Sequence, residues 1–166
     1  TTEIYTLSLH DALPIYVSFD NVTTDYTLVG PGALTGDAAI HKTGAGTLTL
    51  AAPNTTRGGL IIDAGAGAVT ATLAAGQDGL GLGPVSLGAG TSLTLDNTST
   101  AAGTVAKANV FSGSGLLGVT FAEDPTARTT ALSGLSGFAG VVQVGVPGSA
   151  TGRSEERRVG KECRSR

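Results

Sequence analysis

Side chains able to do chemistry are few in this sequence, and their spacing restricts them. His41 stands beside Lys42, and no cysteine or second histidine lies near it. A zinc site needs three or four such ligands brought together. A catalytic base needs a partner that fixes its proton. His41 therefore reads as an exposed histidine at the start of a strand. "GLGLG" (Gly79–Gly83) lacks the Gly-x-Gly-x-x-Gly spacing of a phosphate loop, and Pro84 and Val85 follow where a helix would have to begin, so it reads as a turn. "SGLSGF" places Phe138 where a nucleophile elbow requires glycine. Asp20–Asn21, Asp96–Asn97 and Glu123–Asp124 (before Pro125) read as turn chemistry. Calcium would need about six converging oxygens, and the glycine-rich calcium nonapeptide does not occur. Arg57, Lys107 and Arg128 are too scattered to serve the clustered carboxylates of a lyase. Asn21, Asn54 and Asn97 each begin an Asn-x-Ser/Thr triplet, a frequent coincidence in a threonine-rich chain. The expectation is no catalytic, cofactor or metal site, and a protein that is not an enzyme.

The two ends differ from everything between them. Residues 153–166, "RSEERRVGKECRSR", hold six basic residues, three acidic ones and the only cysteine, Cys163. One reverse translation of that segment, read on the opposite strand, encodes Glu3–Ile15. Both ends therefore resemble a translated sequencing adapter, and residues 1–15 and 153–166 are expected to be artefactual or disordered rather than native. The whole chain carries a formal charge of −3. Without its ends, eight acidic residues face only Lys42, Arg57, Lys107 and Arg128. Nucleic acid binding requires clustered cations, so it is not expected. No segment is long and apolar enough to span a membrane as a helix.

The elements that position these side chains show in residues 16–152. Glycine is abundant and aromatics are few, and apolar residues alternate instead of recurring at helical spacing. "GTLTL" puts Leu48 and Leu50 on one face and Thr47 and Thr49 on the other. "VTATL", "SLTL", "LGVTF", "LIID", "PVSL", "VQV" and "VSF" repeat the pattern, mostly between Gly, Pro, Asn or Asp. "GAGTLTL" (Gly44–Leu50) and "GAGTSLTL" (Gly88–Leu95) are near copies, which points to stacked repeats. Small buried side chains and glycine corners favour a β-solenoid over a sandwich. At about 20–25 residues per coil, the chain would build about six coils.

"IHKTGAGTLTLAAPNTTRGGLIIDAGAG", Ile40 to Gly67, resembles the passenger-associated repeat of bacterial autotransporters. Lys42, Gly44, Gly46, Leu48, Leu50, Asn54, Thr55, Gly58, Gly59, Ile62 and Gly65 carry the resemblance. Thr56 stands where the family usually has tyrosine, and Arg57 where it usually has threonine. The resemblance implies an all-β right-handed parallel β-helix, exported through the outer membrane to the cell surface of a Gram-negative host. It implies the chain's own translocator barrel as a partner, and a host-surface or matrix ligand. The expected function is a structural or adhesive stalk or scaffold. One alternative is an ice-binding solenoid using the outward pairs Thr47/Thr49, Thr70/Thr72 and Ser92/Thr94. Another is a non-catalytic part of a surface enzyme whose active site lies elsewhere.

Overall fold

The computed structural model describes residues 16–74, 77–98, 103–122 and 128–145; the two terminal segments read as adapter-like, and Glu123–Asp124, lie outside these. Every regular element described is a strand. Tyr16–Phe19 (β1), Ala39–Lys42 (β3), Leu60–Ile62 (β5), Val85–Leu87 (β8), Gly103–Gly113 (β10) and Arg128–Phe138 (β12) form one sheet in that order. Tyr26–Leu28 (β2), Leu48–Leu50 (β4), Val69–Ala74 (β6), Ser92–Asn97 (β9), Leu116–Phe121 (β11) and Val141–Gly145 (β13) form the second. All pairs along both sheets are parallel. The chain alternates between sheets, so each pair of consecutive strands makes one rung of a β-solenoid. The short strand Gln77–Asp78 (β7) folds back antiparallel on β6.

The period-two pattern becomes a set of columns. In the second sheet Tyr26, Leu48, Val69, Leu93, Leu117 and Val142 pair in succession. Leu28, Leu50, Ala71, Leu95, Val119 and Val144 form the column beside it. In the first sheet Val17, Ile40, Leu60, Val85 and Phe111 align. The middle members are completely buried, and one continuous core runs between the sheets. Each leucine or valine so placed stabilises by roughly 1.5–3 kcal/mol. A slip of one residue would turn every such side chain outward, so the register is strongly fixed.

A third, irregular side closes each turn, in part through backbone bonds between neighbouring turns. Thr55 N donates to Leu34 O at 2.8 Å, Arg57 N to Gly36 O at 2.8 Å, and Leu82 N to Thr56 O at 2.9 Å. Here backbones approach so closely that a side chain cannot fit. A Cβ on Gly59 would lie 2.1 Å from Pro84 O, and Gly59 also adopts φ +92°.

Two readings need correction, and one charged residue lies where charge is rarely found. His41 is the third residue of β3 and half-buried, not at a strand start. Asp96 and Asn97 belong to β9 instead of following it, and Asn97 is fully buried. Lys42, a charged side chain, faces the core.

Candidate functional site

The residues of the repeat motif run through two corners of the second turn and on into the strand and corner above them. Lys42 aligns with Phe19 below and Ile62 above, which places it in the inward column of the first sheet. Its side chain is completely buried, and its amine donates to Gly44 O. Burial holds the Lys42 ammonium below its ordinary pKa, while the charge of Asp20 pulls the other way. Its stem supplies apolar contact and its amine closes the corner that β3 is about to turn.

That corner explains two of the glycines. A Cβ on Gly44 would sit 2.4 Å from Asn21 O of the turn below, and one on Gly46 would sit 2.7 Å from Thr24 O. Gly46 N uses the close approach to donate to Asn21 O at 2.6 Å. Asn21 is buried and completes the corner, its Nδ2 donating to Thr24 O and Thr47 O at 2.8 Å each. Asp25 accepts from Thr47 N at 2.7 Å. Leu48 and Leu50 then enter the two core columns already described.

The second corner is built on Asn54. Its Oδ1 accepts from Leu34 N at 3.1 Å and its Nδ2 donates to Gly79 O at 2.9 Å. One buried amide therefore binds the turns on both sides of its own. The Thr55 side chain is exposed and its backbone supplies the bond. Gly58 lies against the Asp37 carbonyl, 2.4 Å from where a Cβ would be. Gly65 differs: it takes φ +78° over open space. Ile62 is buried in the column above Lys42.

Two features at this corner escape sequence reasoning. Thr56 is buried, and its Oγ1 has no hydrogen-bond partner. Asn109 is a second buried amide, on β10, its Nδ2 donating to Gly81 O at 3.1 Å and Gly83 O at 2.7 Å, both in the one turn below. No sequence signal marked it, because in β10 polar Lys107 and Asn109 are buried while Ala106, Ala108 and Val110 are exposed. Lys107 pairs with Asp78 and joins β10 to the β6–β7 hairpin.

On the outer surface, His41 Nε2 lies 2.9 Å from Asp63 Oδ1, and Tyr16 meets the imidazole edge-on at 6.5 Å. The carboxylate orients the ring toward the rung above. On the second sheet Thr27, Thr49, Thr70 and Thr94 align as one column of hydroxyls. The flanking outward positions are irregular: Thr72 pairs with Asp96, and Ser92 with Leu116. Among the described residues no group of three or more His, Cys, Asp or Glu side chains could hold a metal ion. No described helix is long and apolar enough to cross a membrane.

No curated protein and no solved structure matches the chain. The passenger-associated-transport-repeat family model matches residues 40–66. That match spans both corners, from the buried Lys42 column to the turn after Ile62. This family belongs to autotransporter passengers, which are exported to the cell surface. Residues 40–66 are thus similar to the passenger-associated-transport repeat, and the parallel β-solenoid they wind into fits an autotransporter passenger repeat.

Proposed function

We propose that residues 16–152 form a structural segment of an autotransporter passenger, a stalk or scaffold that holds an adhesive region away from the cell. It has no active site of its own. The observation that supports this reading most is the unbroken column from Tyr26 to Val142, one residue per rung across six rungs. Stability then accumulates rung by rung, as in other stacked repeats. Residues 1–15 and 153–166 are taken as adapter-derived and outside the functional unit; sequencing the parent locus tests that directly. The partners this role requires are the passenger's own translocator barrel and a ligand on a host surface or matrix.

The test is replacement. The chain is inserted between a reporter epitope and the barrel of an autotransporter whose own stalk has been removed. The epitope should become accessible to antibody and to added protease on intact cells. Retention of the epitope inside the cell would refute the stalk role.

The ice-binding alternative draws support only from the column Thr27–Thr49–Thr70–Thr94. Matching an ice plane requires order in two dimensions, and the flanking columns contain Asp96 and Leu116. Thermal hysteresis of the purified chain decides it, with none expected. Under the remaining alternative, the segment supports an enzyme whose active site lies in another part of the same passenger.

A further inference from the structure

We infer that His41 and Asp63 form a two-donor chelate for a divalent transition-metal ion on the outer face of the first sheet, with Cu(II) bound most tightly. Ser18, His41, Ile61 and Ser86 pair in succession as an outward column of that sheet. Asp63 stands two residues beyond Ile61, on the same face. Its Oδ1 lies 2.9 Å from His41 Nε2.

That separation is the bite of a chelate. An imidazole nitrogen and a carboxylate oxygen each bind a first-row divalent ion at about 2.0–2.2 Å, so two such bonds at a right angle set the donors about 2.9 Å apart. Nitrogen and oxygen donors at right angles are what the tetragonal geometry of Cu(II) accepts. The ion replaces the hydrogen bond that joins these two atoms.

The winding holds the donors in place before any ion arrives. They are 22 residues apart in sequence yet on neighbouring rungs. Asp63 N donates to Lys42 O at 3.0 Å, and Ile61 pairs with His41 in the parallel ladder. Little ordering is left to be done on binding. The two side chains are 32% and 48% exposed, so an ion can reach them and keep water on its other faces.

Charge at this edge favours a cation. Asp20 follows β1 at the register position where Asp63 follows β5, so an exposed carboxylate stands one rung to either side of His41. Lys42, beside His41 in the chain, is turned into the core. Among the described residues no third His, Cys, Asp or Glu completes the set, so the other coordination positions go to water. Those positions are open to a donor from another molecule at the surface. The site does not depend on the stalk reading, and the two are tested by separate measurements.

The probe is Cu(II) alone, titrated into the full chain carrying His10→Ala and Cys163→Ser, which removes the other histidine and the cysteine. Isothermal titration calorimetry should show a saturable site. Electron spin resonance of the bound ion should show coupling to one imidazole nitrogen. His41→Gln and Asp63→Asn each remove one donor at an outward position while keeping a polar side chain. Each should weaken binding by about tenfold or more. Zn(II) and Ni(II) should bind less tightly than Cu(II). Excess Ca(II), which takes oxygen ligands, should not displace the copper. Far-UV circular dichroism checks that the variants keep their strands. Absence of binding by the parent chain overturns the inference, as does a resonance spectrum without nitrogen coupling. Equal affinity in both variants also overturns it, since the copper would then be an adventitious ion only.

Discussion

The amine of Lys42 donates to the carbonyl of Gly44, two residues along the same turn, from a side chain that is completely buried. A lysine in an apolar column is retained there by one hydrogen bond and by the distant charge of Asp20. Burial lowers its pKa in the folded state from the ordinary 10.5. Between the lowered value and 10.5 the unfolded chain binds more protons than the folded one, so stability rises with pH through that window. Below the lowered value the full cost of burying the ammonium is present. Lys42→Met should abolish this alkaline gain. Urea unfolding of both proteins at several pH values up to 10.5 reads the difference. A wild-type curve parallel to that of the methionine variant would mean that Lys42 is not desolvated.

Asn54 is the amide that binds two neighbouring turns to its own. Asn54→Ala removes both bonds and leaves Leu34 N and Gly79 O unpaired. The expected loss is about 2–4 kcal/mol, the sum of two buried groups left unsatisfied. Asn54→Asp keeps the acceptor for Leu34 N but loses the donor to Gly79 O and buries a charge, so it should be at least as damaging. Chemical denaturation measures both. A change below about 0.5 kcal/mol for the alanine variant would place it with ordinary surface substitutions.

Gly59 and Gly65 both have positive φ, but only Gly59 lacks room. Gly65→Ala should cost about 1–2 kcal/mol from the left-handed backbone alone. Gly59→Ala adds a collision with the Pro84 carbonyl and should cost several kcal/mol or prevent folding. Equal midpoints in thermal or urea unfolding would contradict the close approach of these two turns.

The strands were legible wherever leucine and valine alternate with threonine, because the buried positions in those stretches are apolar. "GTLTL", "VTATL", "SLTL" and "LGVTF" all became strands whose leucines and valines occupy core columns. β10 was not legible, for a physical reason. Its inward positions include Lys107 and Asn109, while Ala106, Ala108 and Val110 face solvent, so its pattern runs against polarity. Lys42 misleads in the same way, since a charged residue gives no sign that its stem will fill a column. The motif glycines were visible as corners. Which backbone each one touches became clear only with the stacking of turns 20–26 residues apart. Asn54 stood out as a corner residue, but its bonds to Leu34 and Gly79 join segments that no local pattern brings together.

Thr56 offers a stabilising substitution. Its hydroxyl is buried against Gly81 without a hydrogen-bond partner. Thr56→Val replaces that oxygen with a methyl group of nearly the same size. Stability should rise by about 1 kcal/mol as the unpaired group is removed. Thr56→Ser keeps the hydroxyl and loses a methyl, so it should destabilise. A valine variant weaker than the wild type would show that the hydroxyl is satisfied in solution.

The stacked winding itself is tested most directly by distances along the threonine column. Thr27, Thr49, Thr70, Thr94, Gly118 and Gln143 pair in succession and face outward. Successive rungs are about 4.8 Å apart. Nitroxide pairs in a Cys163→Ser background should therefore give backbone separations near about 14 Å for Thr27–Thr94, 19 Å for Thr49–Gln143 and 24 Å for Thr27–Gln143. The linear increase with rung number is the signature, measured by pulsed electron spin resonance. Separations that do not grow in step with rung number would mean that the chain does not wind as a solenoid.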